Sequence, residues 1–315
     1  MSQKTKCVYF HMNQLGDMLF SLPFLSAARK AWPDRHLASF ARDSFRGLLD
    51  SSGFVDEVVV RKNGGFNFIE NIAALRRGSF DCSIHFSESP RSSLTALLSG
   101  IPEMAGFSTA ALSLLYKVKA ERIGVPSMRN NARLAEKLGL KALPEDYSGL
   151  LKVPRKALEL IDGWVESRGL NKAKLVAVAP GASRRRRDKL WQASKWVQVI
   201  KELSLKGYEP VLCGGPADAG ELRGISEACG GKAGVYDGVY GIDGLAALFS
   251  TSVKFLGIDS GAMHLAAALK VPVVALFGPT DPLQVGPMPL EKNIVVKKNY
   301  MDEIEVKDVL EAAGI

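Results

Sequence analysis

Three short stretches of this 315-residue chain combine residue types that can do chemistry, and each stands just behind an apolar run. The first is Gly16-Asp17, after the run at 6–10. Its carboxylate can take a proton from a hydroxyl within hydrogen-bond reach, or it can cap the helix that follows. The second runs from Pro180 to Trp191, after the run at 175–179. Here Ser183 offers a hydroxyl and Lys189 a point charge, both suited to a diphosphate. The basic run Arg184 to Arg187 reads as the rim of that site, with a solvated loop or a polyanion patch as the plainer alternatives. The third is Asp259-Ser260-Gly261, after the run at 253–258. Asp259 and Ser260 sit where a helix N-cap belongs, and the amides of Ser260, Gly261 and Ala262 point out of the helix start, where anions bind. His264 lies five residues past Asp259. It is either a satisfied structural side chain or a substrate contact.

The elements needed to hold these groups follow an alternating plan. Strands are expected at 6–10, 36–41, 55–60 and 80–86, with helices at 18–31, 44–52, 67–77, 91–99 and 128–138 between and after them. The region 101–127 is read as short strands and a loop. After a helix at 155–168, strands are expected at 175–179, 210–213, 253–258, 273–277 and 294–297. Helices fall at 193–206, 217–229, 243–250, 259–269 and 302–313. This βα rhythm belongs to an α/β protein with two doubly wound halves, residues 1–155 and 156–315, facing a central cleft. The C-terminal helix is a candidate to pack back on the first half.

Composition narrows the function. Hydrophobic residues make up 47% and charged residues 23%, which describes a folded chain rather than a disordered one. No apolar run approaches the roughly 18 residues needed to cross a bilayer. Asn13, Gln14 and Asp17 interrupt the segment after Lys4 and Lys6, which argues against a signal peptide. The four cysteines form no C-x-x-C pair and read as free thiols of a cytoplasmic protein. Net charge is +8, and residues 1–155 hold 21 Lys and Arg against 14 Asp and Glu. The basic excess of the first half suits an anionic partner, either nucleic acid or an acidic glycolipid at a membrane surface. Nucleic acid is disfavoured because the basic residues lack interleaved aromatics.

Taken together, Gly16-Asp17 with Leu22-Pro23, the Pro180-Gly-x-Ser183 loop leading to Lys189-x-Trp191, Asp259-Ser-Gly-x-x-His264 and Gly278-Pro-Thr-Asp-Pro282 resemble glycosyltransferase family 9. That family holds the ADP-heptose:lipopolysaccharide heptosyltransferases. The resemblance runs to about residue 287, with motifs in family order. It implies a GT-B architecture, with a Rossmann-like acceptor-binding half followed by a Rossmann-like nucleotide-sugar-binding half. It also implies inverting transfer without a metal or other cofactor, and no pair of Asp residues stands at i and i+2 to form a D-x-D metal motif. Asp17 matches the catalytic base. Lys189 and Ser183 match diphosphate contacts, with Lys189 also neutralising the departing ADP. Ser260 and Gly261 match phosphate-holding amides, and Asp259 and His264 match positions near the donor sugar. More loosely, Glu221 matches a ribose contact and Tyr240 an adenine contact. Three positions depart from the pattern: His11 where Arg is frequent, Ser260 where Thr is usual, and Gln192 where Pro commonly follows the Trp.

The reading implied is transfer of heptose from ADP-heptose to an inner-core lipopolysaccharide acceptor at the inner face of the inner membrane. Two alternatives stand beside it: a relative using another nucleotide-sugar or acceptor, and a noncatalytic nucleotide-sugar binder. A pure binder needs neither Asp17 nor Lys189.

Overall fold

A computed structural model describes residues 5–62, 64, 67–124, 126–181 and 186–315. Two compact units are present, Met1–Asp146 and Tyr147–Ile315.

The first unit runs β1 (Lys6–Phe10), α1 (Leu15–Leu19), α2 (Leu22–Ala31), β2 (His36–Ala41), α3 (Arg46–Ser52), β3 (Glu57–Val60), α4 (Asn67–Gly78), β4 (Cys82–His85), α5 (Pro90–Leu98), β5 (Glu103–Phe107), β6 (Val118–Ala120) and α6 (Ser127–Lys137). Its six strands are ordered β3-β2-β1-β4-β5-β6. All the pairings are parallel. The order reverses between β1 and β4, so the loops leaving those two strands diverge and open a crevice at their carboxyl ends. Strand β1 is buried from Cys7 to Phe10, as a parallel strand covered on both faces must be.

The single helix expected at 18–31 is two helices. Ser21 donates its hydroxyl to the Met18 carbonyl at 2.6 Å, which closes the end of α1. Pro23 then falls in the first turn of α2, where its missing N–H costs nothing.

The second unit runs α7 (Arg155–Glu166), β7 (Leu175–Ala179), α8 (Ala193–Leu205), β8 (Glu209–Cys213), α9 (Ala219–Ala228), β9 (Gly234–Tyr236), α10 (Gly241–Thr251), β10 (Lys254–Ile258), α11 (Gly261–Ala268), β11 (Val273–Phe277), α12 (Pro282–Val285), β12 (Ile294–Lys297) and α13 (Val306–Ala313). Its strand order, β12-β11-β10-β7-β8-β9, is the same plan with the switch point between β7 and β10. Gly257 on β10 leaves room for the Phe255 ring, which a Cβ there would meet at 2.6 Å, and a Cβ would also stand 3.0 Å from the Ala179 carbonyl oxygen. The pair of Rossmann-like halves is the GT-B fold that the motifs imply.

Trp191 and Trp196 meet edge to face at 4.9 Å in the second unit's core, a geometry that adds about 1 kcal/mol to simple burial. The C-terminal helix begins at Val306 rather than 302. Val309 and Ala313 are buried in that same core, against α8 and β12. Residues 147–155, expected with the first half, belong to the second unit. There the Gly149 amide donates to the Ala268 carbonyl at 2.7 Å. No helix of the described residues is long and apolar enough to cross a membrane.

Candidate active site

In the first unit the loops after β1, β3 and β4 converge on a cavity of about 340 Å³. Asp17, Asn13, Arg61, Arg91, Ser87 and Ser92 are among its walls. Asp17 is the third residue of α1, whose N-cap is Gln14, so it is not the cap of its helix. Among the described residues its carboxylate accepts no hydrogen bond. Burial raises its pKa above the ordinary carboxylate value of 3.8, and the positive charge of Arg122 partly opposes that. A desolvated carboxylate facing a cavity is more basic than a surface one, which suits a proton acceptor.

His11 does not face this cavity. Its ring is fully buried, with Nε2 3.0 Å from Ser39 Oγ and Nδ1 3.3 Å from Ser21 Oγ. Burial first, then Arg61, lowers its pKa to about 3, so the ring is neutral. The positive charge at this place comes instead from Arg61, which follows β3. Arg61 donates from Nη1 to the His11 carbonyl at 2.7 Å and from Nη2 to Asn13 Oδ1. Its Nε is buried and has no partner among the described residues. Nothing in the sequence singles out Arg61, since its importance arises from the pairing of β3 with β2, which brings it beside the β1 loop.

In the second unit the switch point holds an ion pair. Lys189 Nζ lies 2.5 Å from Asp259 Oδ2, and Thr280 Oγ1 donates to the same oxygen at 2.7 Å. Both partners are mostly buried, at 13% and 6% side-chain exposure. The three residues come from the loops after β7, β10 and β11, so the cluster lies across the carboxyl ends of the central strands. Thr280 belongs to the quoted Gly-Pro-Thr-Asp-Pro loop, yet sequence reasoning attached no role to it.

Ser260 is the N-cap of α11, in extended backbone conformation, and Gly261 is the first helical residue. The Ser260 hydroxyl does not cap the helix. Its Oγ is buried and has no partner among the described residues, a donor that a ligand oxygen can satisfy. His264 is buried on α11, with Nδ1 2.8 Å from the Tyr147 hydroxyl, which also accepts from the Met288 amide at 3.1 Å. Its pKa is lowered to about 4, chiefly by burial, so a neutral ring stands one turn behind the helix start.

The other expected positions are more scattered. Ser183 lies outside the described residues. Glu221 is exposed in the first turn of α9. That helix begins at Asp218, whose carboxylate carbon would lie 3.6 Å from a Cβ on Gly181, so its start stands beside the loop that leads to Ser183. Tyr240, the N-cap of α10, lines a separate groove with Trp164, Arg168, Arg223 and Asp237. Among the described residues neither Glu221 nor Tyr240 contacts the Lys189–Asp259 pair.

The sequence profile described as glycosyltransferase family 9 (heptosyltransferase) matches residues 70–313. Lipopolysaccharide heptosyltransferase 3 of Escherichia coli (strain K12) is 25% identical over 339 aligned positions, covering 96% of this chain and 95% of that protein. Among solved structures, a glycosyl transferase family 9 protein from Veillonella parvula DSM 2008 superposes with a TM-score of 0.88 at 23% identity, covering 100% of this chain and 97% of that one. The E. coli ADP-heptose lps heptosyltransferase II superposes with a TM-score of 0.82 at 22% identity, covering 98% of each chain. These two superpositions concern the fold.

Proposed function

Because the chain belongs to glycosyltransferase family 9, the heptosyltransferase family, we propose that it moves heptose from ADP-heptose to an inner-core lipopolysaccharide acceptor. The proposal includes inversion at the anomeric carbon and no metal. The observation that carries it is Asp17, a half-buried carboxylate with a raised pKa and no hydrogen-bond partner among the described residues, facing a cavity rimmed by arginines.

In this reading the acceptor hydroxyl donates its proton to Asp17 as its oxygen attacks the anomeric carbon. The bond from that carbon to the diphosphate oxygen breaks, and ADP departs with its added negative charge. Lys189, the Ser260 hydroxyl and the first amides of α11 stabilise that charge. Asp259 holds Lys189 in place until the diphosphate arrives, and Thr280 fixes the Asp259 carboxylate. His264, neutral and held by Tyr147, faces the donor sugar as a hydrogen-bonding rather than a charged group. Ser183, Glu221 and Tyr240 are proposed as contacts to the diphosphate, ribose and adenine. The acceptor is a glycolipid, so the enzyme works at the cytoplasmic face of the membrane.

The test is the product. Incubation of ADP-heptose with deacylated lipopolysaccharide core should add one heptose to the core, with anomeric configuration opposite to the donor's by NMR. Retained configuration would contradict a single displacement through Asp17. Hydrolysis of the donor without any glycosylated product would contradict the transfer itself.

A further inference from the structure

We propose that the outer face of α5, with the turn before β6, is a docking surface for an anionic lipid bilayer. The inference deepens the reading of a glycolipid acceptor and rests on it for its biological sense. The helix carries two stripes. Ser92 and Thr95, with Arg91 at the border, line the Asp17 cavity. The opposite stripe, Leu94, Leu97 and Leu98, is left 38%, 43% and 41% exposed.

This apolar stripe does not stand alone. Ser93 on α5 hydrogen-bonds the Tyr116 hydroxyl at 2.6 Å, which places the turn at 113–115 beside the helix. Leu114 of that turn is 91% exposed and Leu115 42%. On the other side α4 packs along α5 and exposes Ile69. Scattered exposed leucines are ordinary, but several gathered on adjoining elements mark an interaction surface.

Charge selects the occupant. Arg76 and Arg77 at the end of α4 are exposed, as is Arg91. Arg76 donates to the Leu98 carbonyl at 2.8 Å, so its guanidinium stands at the edge of the leucine stripe. Residues 1–155 carry the chain's basic excess. Leucines flanked by arginines suit a lipid surface, the apolar side chains entering the headgroup boundary and the cations meeting lipid phosphates. Because one helix serves both stripes, a bilayer on the leucines brings the headgroup layer to the cavity mouth.

The experiment compares flotation with vesicles of phosphatidylcholine alone and of phosphatidylcholine with phosphatidylglycerol, without donor or acceptor. The parent should bind the anionic vesicles, and less so at high salt. Leu94→Gln/Leu97→Gln/Leu98→Gln should lower the partition roughly tenfold or more. Arg76→Gln/Arg77→Gln should weaken it and flatten the salt dependence. Turnover on deacylated, water-soluble core should be unchanged in both variants, which also reports that they fold. Equal binding by the parent and the leucine variant would overturn the proposal. So would self-association of the parent in sedimentation that the leucine variant abolishes, since a second copy would then be the occupant. Vesicle binding by a protein that transfers no heptose would remove the function reading and leave the docking surface standing.

Discussion

Lys189 Nζ stands 2.5 Å from Asp259 Oδ2, joining the loops after β7 and β10 across the switch point of the second unit. The pair is nearly dry, so each charge depends on the other. Removing the lysine leaves a buried carboxylate held by Thr280 alone among the contacts described. Lys189→Met should therefore cost about 3 kcal/mol of stability. It should also weaken ADP binding by about tenfold or more. Asp259→Asn should destabilise less, and the double variant should cost less than the sum, because the residues share one interaction. Thermal melts and titration calorimetry with ADP measure both quantities. Strict additivity would mean that the pair is not coupled.

Asp17 should set the acid limb of the pH–rate profile. With a pKa raised by burial, it is protonated at pH values where an ordinary carboxylate is still ionised. Activity should fall as pH drops through a midpoint above 3.8, the ordinary value. The raised pKa also means that the folded state disfavours the charged form near neutrality. Asp17→Asn should thus raise the melting temperature at pH 7 while it slows turnover. A lower melting temperature would show that the carboxylate is structural.

Three buried histidines make the protein acid-labile. His11 and His85 have pKa values lowered to about 3, and His264 to about 4, each mainly by burial. Between the unfolded value of 6.5 and these folded values the unfolded chain binds protons that the folded one refuses, so stability falls as pH drops. Each contributes about 1.4 kcal/mol per pH unit in that window. Two of the three lie in the first unit, which should unfold earlier on acidification. Hydrogen exchange resolved by segment at pH 5 would reveal it, and earlier opening of the second unit would contradict the assignment.

Cys82 should be the reactive thiol. It pairs in register with Cys7 across β1 and β4, and the Cys7 thiol lowers its pKa by hydrogen bonding. It is half-buried and lines a surface cavity with Arg35, whereas the other three cysteines are buried. Alkylation followed by peptide mass spectrometry should label Cys82 first. Faster labelling of Cys213, whose thiol burial pushes well up, would refute this.

Much of the architecture was legible because buried parallel strands are short unbroken apolar runs, as at Leu175–Ala179 and Val273–Phe277. The short strands β6 and β9 escaped firm placement, since three residues with a half-buried pattern carry too little periodicity. Pro23 marked a helix start and was read as lying inside a helix, because the Ser21 hydroxyl that ends α1 acts locally and leaves no pattern. Within the site, Asp259, Ser260 and Lys189 were readable from their place after strands. Tyr147, which holds His264 from 117 residues away, and Arg61, which reaches back 50 residues to His11, were not, because tertiary pairing alone brings them there.

The most direct test is acceptor-dependent ADP release from ADP-heptose, measured for the parent and for Asp17→Asn with and without deacylated core. The parent should release ADP only when acceptor is present, and Asp17→Asn should bind ADP-heptose normally yet turn over about 10²- to 10⁴-fold more slowly. Turnover by Asp17→Asn at the parent's rate would contradict the role assigned to Asp17, and with it the account of how this site works.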